Sequence, residues 1–363
     1  MRIKTKQLGV LTAGIFLLST SINGVDFDKN FFKGDLRLRE QWETNGLGED
    51  RYRPRYRLRL GADHQISNQL SVAYEFATGT GDSRSNNQSA SLNQPDIRLN
   101  KAHLTYKAYE GLNLLGGKFK NPISNISEWV MDADINPEGL GVIFEGQNKL
   151  KGFSVNSYYS VITEDQNKGN GNINLWAIQT GYKASILGLE FKGILGYSTL
   201  SNTNLVVTSN ATTNELSDNG YYVSNFNPIN IGLSVKKKQI PFVKNIELQA
   251  EYLINTAAKD GKVKASDKNS AHLLGFVLGD DQLNKLGTWK VQFGYRFIQQ
   301  DAFFDQFPDS DFYSGKTNVS GTKSSLGFGL SENTFASLTY VTTQELITKV
   351  NQSLAQIDFN LKF

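Results

Sequence analysis

The densest chemistry in the chain is the run Arg51, Arg53, Arg55, Arg57 and Arg59, preceded at the same spacing by Arg37 and Arg39. A spacing of two is the side-chain period of a β-strand, so each set of guanidiniums shares one face. The alternate positions are Tyr52, Pro54, Tyr56, Leu58 and Leu60. Such a strand needs water on one side and an apolar medium on the other. In a lipid-spanning strand an arginine facing the bilayer midplane costs about 2–4 kcal/mol, which turns the seven arginines inward as pore-lining residues. Stacked guanidiniums repel one another unless carboxylates or anions offset them.

The segment 120–138 supplies candidate carboxylates in Glu128, Asp132, Asp134 and Glu138. It is expected to fold inward as a constriction loop facing the arginines. In the competing arrangement those acids stay on the outer rim and the arginines pair with Asp35, Glu43 or Glu75 along the wall. Segment 299–322 sets Asp301, Asp305, Asp309 and Asp311 among Phe303, Phe304, Phe307 and Phe312. Clustered carboxylates suit a hard cation, but this spacing fits no calcium-loop template, and a solvated loop packed by its own aromatics is the favoured reading. The tract Lys236-Lys237-Lys238 is expected to snorkel toward headgroups or water.

Other chemistries lack their residues. The three histidines, His64, His103 and His272, show no paired spacing, and there is no cysteine, so neither a metal site nor a disulfide is expected. No Gly-x-Ser-x-Gly elbow or Walker loop occurs. No catalytic residue is assigned, no cofactor is implied and no enzymatic activity is expected. A formal charge of +3 over 363 residues gives no reason to expect a nucleic-acid partner.

The elements that must position the arginines repeat the same alternation. Leu70, Val72, Tyr74 and Phe76 share a face, as do Ile246, Leu248, Ala250, Tyr252 and Ile254, then Trp289, Val291, Phe293, Tyr295 and Phe297, and finally Ala355, Ile357, Phe359, Leu361 and Phe363. About sixteen such segments fall near 33–43, 51–62, 69–78, 97–108, 112–119, 139–146, 152–162, 173–183, 186–198, 228–236, 246–256, 270–278, 288–298, 323–331, 334–343 and 353–363. Longer polar connections near 44–50, 79–96, 120–138, 163–172, 199–227, 257–269, 299–322 and 344–352 alternate with short ones such as Ile66-Ser67-Asn68 and Glu332-Asn333. The pattern predicts an all-β fold, a closed antiparallel transmembrane β-barrel of about sixteen strands with long extracellular loops and short periplasmic turns.

The first residues, Met1-Arg2-Ile3-Lys4-Thr5-Lys6, are basic, and the run from Leu8 to Leu18 is apolar but too short to span a bilayer as a helix. This is the layout of a signal peptide over residues 1–24, cleaved after Ser21 or Gly24 and followed by one barrel domain over 25–363. The terminal Phe363 closes an amphipathic strand. It resembles the signal of proteins handled by the barrel-assembly machinery.

Two stretches also resemble the bacterial putative-porin family of outer-membrane porins. One is Gly294-Tyr295-Arg296-Phe297-Ile298-Gln299-Gln300-Asp301-Ala302 with Asp309-Ser310-Asp311-Phe312 and Thr317-Asn318-Val319-Ser320-Gly321 after it. The other is Gly117-Lys118-Phe119-Lys120-Asn121-Pro122 with Trp129, Asp132, Asp134, Asn136, Pro137, Glu138 and Gly139. The resemblance implies a bacterial outer-membrane pore for passive diffusion of small hydrophilic solutes, with no particular solute specified. The arginines would bias it toward anions, and porins of this size are often homotrimers, although no interface is marked. Two rivals remain: a substrate-selective channel for anionic sugars or phosphate, and a structural or adhesive barrel whose loops bind surfaces. A soluble β-sandwich is disfavoured because so many strands carry an apolar outer face.

Overall fold

The computed structural model describes residues 32–44, 50–92, 94–163, 172–203, 212–241 and 243–363. The expected signal peptide lies outside the described residues. Seventeen strands appear in chain order: β1 (Phe32–Thr44), β2 (Asp50–Gln65), β3 (Leu70–Thr78), β4 (Gln88–Ser89), β5 (Ile97–Tyr109), β6 (Leu112–Lys118), β7 (Glu138–Glu145), β8 (Phe153–Thr163), β9 (Ile173–Ile186), β10 (Leu189–Ser201), β11 (Pro228–Ile240), β12 (Val243–Asn255), β13 (Ser270–Gly279), β14 (Trp289–Ile298), β15 (Val319–Ser331), β16 (Thr334–Glu345) and β17 (Asn351–Lys362). The two-residue β4 lies in a connection and pairs with Arg55 and Tyr56. The other sixteen form the wall, each antiparallel to its neighbours in the chain.

The ring closes where β1 pairs with β17 from Asp35↔Lys362 to Thr44↔Ser353. Closure leaves no wall edge whose backbone groups would face lipid unpaired. The strands coincide with the sixteen expected segments to within a few residues, and β15 begins at Val319 rather than near 323.

The pleat sorts the side chains as the alternation requires. Leu38, Trp42, Tyr52, Leu58, Leu60, Phe76, Leu104, Leu140, Tyr182, Ile231, Leu248, Leu274, Leu338 and Ile357 are exposed on the outer face. In water this surface would be an aggregation hazard; around a barrel it is the lipid contact. One rim carries the connections 119–137, 256–269 and 299–318 and the described parts of those after β3 and β10. The other carries 66–69, 110–111, 146–152, 187–188, 280–288 and 332–333, of which 146–152 and 280–288 are longer than tight turns.

The interior is not uniformly wet. Inward residues of β6, β8, β9 and β10, including Leu115, Tyr158, Leu175, Ala177 and Leu200, pack with Phe304 and Phe307 of the connection 299–318. A second cluster joins Leu253, Leu273, Ile298, Val319, Val341 and Leu354 of the wall to Trp129, Phe303 and Phe312. Connections 119–137 and 299–318 therefore fold into the barrel and seal part of its bore with a dry core. The segment 299–318 is packed by its aromatics as expected, but it is buried rather than solvated: Asp301, Asp305 and Asp309 are at most 2% exposed.

Candidate functional site

Six of the seven arginines border openings that the loops leave in the bore, and Arg39 is buried in the wall between them. β1 and β2 set Glu43↔Arg51, Gln41↔Arg53, Arg39↔Arg55, Arg37↔Arg57 and Asp35↔Arg59 in successive inward rows. At about 3.4 Å per residue the β2 ladder runs roughly 27 Å, comparable with the apolar band of an outer-membrane barrel. Two rows place guanidinium opposite guanidinium, a destabilising pairing unless countered from elsewhere.

The counter-charges come from three directions. Along the wall, Asp35 accepts from Arg57 Nη2 at 2.7 Å and from Arg59 Nε at 2.6 Å, and Glu43 accepts from Arg53 Nη2 at 2.7 Å. Across the closing seam, Asp358 takes Arg39 Nε at 2.7 Å and Nη2 at 2.8 Å. From the infolded loops, Asp134 reaches Arg59 at 3.4 Å and Asp311 reaches Arg39 at 3.1 Å. Glu75 pairs instead with Lys101 at 2.8 Å.

Connection 119–137 is pinned inside by contacts to many strands. Asn156 donates to Pro122 O at 2.9 Å, Gln179 Nε2 to Ser124 O at 2.9 Å, Lys192 Nζ to Asn125 O at 3.1 Å and Arg296 Nη2 to Glu128 O at 2.7 Å. It also docks on the second infolded loop, with Asp132 N donating to Phe307 O and Ser310 N to Asp132 Oδ2, both at 2.8 Å. Glu128, Asp132 and Asp309 bring carboxylate oxygens within 4.8 Å of one another. Arg296 Nη1 at 2.8 Å and Lys323 Nζ at 2.6 Å already hold Asp309.

These environments split the loop acids. Burial pushes Asp132 up to about 8, with Glu128 and Asp309 adding to the rise, and burial also raises Glu128. Burial acts the same way on Asp309, but Lys323 and Arg296 outweigh it and hold that carboxyl below the usual range. Asp311 is likewise held down against its burial by Arg39 and Lys323.

Of the sequence-derived acids, Glu128, Asp132 and Asp134 meet the passage and Glu138 does not. Glu138 opens β7 opposite Lys118, 3.6 Å away, with its side chain 70% exposed. It shares the parity of Leu140 and Val142, which face outward. Asp309 and Asp311 were not assigned to the passage from sequence, yet they stand opposite the arginines; the aromatics around them were the available signal. In the lysine tract, Lys236 pairs with Asp281, and Lys238 with Glu190 at 2.6 Å.

Two neighbouring openings lie along the arginines. One, of about 260 Å³ toward the long-connection rim, is lined by Arg51, Arg53, Arg55, Gln352 and Tyr313 among others. The next, of about 350 Å³, is lined by Arg37, Arg57, Arg59, Lys101, Lys120, Glu128, Asp132 and Asp134 among others. Ser310 and Asp311 border both.

A closed sixteen-stranded barrel, apolar outside and charged along an inner passage narrowed by infolded loops, has the architecture of a bacterial outer-membrane porin. The family model described as Putative porin matches residues 28–197 and 196–363, and the chain belongs to that family. No curated protein matches the chain. Among solved structures, the high-pH form of Pseudomonas putida OprB is similar with TM-score 0.59 at 11% identity, over 92% of this chain and 94% of that one. Salmonella typhi OmpF in complex with daunomycin gives TM-score 0.53 at 12% identity, over 91% and 97%. Vibrio cholerae OmpT is similar as a loop L8 deletion mutant, with TM-score 0.53 at 11% identity over 92% and 99%. Its in-vitro folded trimer form gives 0.50 at 10% over the same shares. At these identities the structures speak for the fold alone. The chain is an outer-membrane porin channel, and its family and fold are those of a channel rather than an enzyme.

Proposed function

We propose that this porin passes small hydrophilic solutes passively down their gradients and favours anions. The observation that carries the reading is the charge asymmetry of the passage: a wall of arginines, not all matched by carboxylates, faces loop acids of which Asp132 and Glu128 hold their protons more tightly than usual. A field across a narrow aqueous path orients dipolar solutes and sets ion preference. In this reading Arg37, Arg39, Arg51, Arg53, Arg55, Arg57 and Arg59 line the pore, and Glu128, Asp132 and Asp134 belong to the constriction. The long connections are extracellular, both chain ends periplasmic, residues 1–24 a removed signal peptide, and Phe363 the mark read by the assembly machinery. The OmpT trimer form supports a homotrimer for this chain as well.

The test is single-channel conductance and reversal potential of the refolded protein in planar bilayers, against the triple variant Arg53→Ala/Arg55→Ala/Arg57→Ala. Stable open steps whose anion preference falls in the variant are expected. A well-folded barrel that never conducts would end the channel reading, and unchanged selectivity in the variant would end the role of the ladder.

A further inference from the structure

The seven ladder arginines are not equivalent, because their partners differ in charge. Arg39 is held by Asp358 and Asp311, Arg53 by Glu43, Arg57 by Asp35, and Arg59 by Asp35 and Asp134. Among the described residues Arg37 meets only the Asn87 side-chain oxygen. Arg55 meets Gln41 Oε1 at 3.2 Å, Ser85 Oγ at 3.2 Å and Asn87 O at 3.4 Å, all neutral acceptors. The Nε atoms of Arg37 and Arg55, like that of Arg53, are buried without a hydrogen-bond partner, but Arg53 has Glu43 for its charge.

These two residues are diagonal neighbours, since Arg37 pairs with Arg57 and Arg39 with Arg55. Diagonal positions on one face lie roughly 7–8 Å apart, close enough for two long side chains to converge on one group. Arg37 borders the larger opening and Arg55 the smaller, at the step where Ser310 and Asp311 border both. The acids at that step are engaged: Asp358 by Arg39, and Asp311 by Arg39 and by Gln356 Nε2 at 2.9 Å. Arg39, Asp358 and Asp311 together carry one net negative charge, and Arg37 and Arg55 add two positive ones. The step is therefore left with one uncompensated positive charge and unused donors.

We infer that Arg37 and Arg55 form a discrete oxyanion-binding step between the two openings, taking the carboxylate or phosphate group of a small solute in transit. This rests on the channel reading above and narrows it, because Arg39, Arg53, Arg57 and Arg59 are occupied by the protein's own carboxylates and Arg51 lies exposed at the rim end of β2, away from the step. Guanidinium forks match such oxygens geometrically as well as electrically. An anion would occupy the step and leave it by exchange with the next.

The test is chloride current through the refolded barrel, titrated with inorganic phosphate and separately with acetate. Wild type should show saturable block by phosphate. Arg37→Gln/Arg55→Gln should raise the half-blocking concentration about tenfold or more, whereas Arg98→Gln, which removes a guanidinium that borders neither opening and is held by Asp96, should raise it less than about threefold. If the double variant does not fold, Arg37→Lys and Arg55→Lys singly keep the charge and remove the fork, and each should still weaken block. Block by both ions supports a general oxyanion step, and block by phosphate alone a phosphate step. Open, anion-selective channels with no saturable block, or equal weakening in Arg98→Gln, would overturn the inference and leave the porin reading intact. Channels that never open would overturn the porin reading itself.

Discussion

The Arg39 guanidinium lies edge-on to the Asp358 carboxylate, Nε to Oδ1 at 2.7 Å and Nη2 to Oδ2 at 2.8 Å, joining the first strand to the last across 319 residues of sequence. Both side chains are under a tenth exposed. The pair ties the seam of the barrel, and through Asp311 it also ties the seam to the loop 299–318.

Removing Asp358 takes the two-pronged partner from the buried Arg39 and leaves it Asp311 at 3.1 Å, so the cost falls short of the roughly 3–5 kcal/mol of a wholly orphaned buried charge. Asp358→Ala should therefore lower the urea midpoint of the folded protein in lipid vesicles. The double variant Arg39→Met/Asp358→Leu should recover much of the loss. Equal destabilisation in both would show that packing, rather than the stranded charge, dominates.

The raised carboxyls give the passage a pH response of definite sign. Asp132 goes from an ordinary 3.8 to about 8 in the folded loop. Its protonated form is thus favoured by folding, a contribution complete below about pH 4 and lost as pH climbs through about 8. Ionisation there adds negative charge beside the arginines. Reversal potentials recorded from pH 6 to pH 9 should show declining anion preference, and Asp132→Asn should flatten the response.

A third buried ion cluster holds other connections together. Lys268, 1% exposed, meets Glu215, and it meets Asp301 at 3.2 Å; these residues come from three different connections. Ser224 Oγ adds a hydrogen bond to Asp301 at 2.6 Å. Lys268→Met leaves two carboxylates buried without their cation. The loops should then become sensitive to limited proteolysis in intact vesicles while the wall strands stay protected.

At Gly117 the backbone φ is +114°, and a Cβ there would sit 2.4 Å from Ala102 O. Gly117→Ala meets both the unfavourable dihedral and a fixed carbonyl, for about 1–3 kcal/mol of destabilisation. Because this glycine precedes the infolded connection 119–137, noisier single-channel currents should accompany the lower thermal midpoint.

The wall was legible in the sequence because its cause is local. Alternation in Arg51–Ala62 or Ala355–Phe363 reports directly which face meets lipid, and the strands fall where that pattern predicts. The parity of Glu138 with Leu140 and Val142 was equally local, and extending the strand by one residue would have moved it outside. The inner contacts are different. Arg39 meets Asp311 across 272 residues, and no periodicity in either segment announces the other. The dry core was half visible: Leu175, Leu253, Leu273 and Leu354 occupy the inward parity of their strands, a sign that something apolar lies within. The two-residue β4 has no pattern to read.

A one-residue slip between neighbouring strands would exchange their inner and outer faces. In β9, β12 and β13 the exchange is mild near the dry core, where Leu175, Leu253 and Leu273 are as apolar as the outward Trp176, Tyr252 and Leu274. In β2 it would drive five guanidiniums into hydrocarbon, at about 2–4 kcal/mol for each one near the midplane. The arginine ladder thus acts as an indexing mark for the whole cylinder: it fixes the stagger of the first hairpin, and the seam at Arg39 and Asp358 hands that stagger on to the last strand.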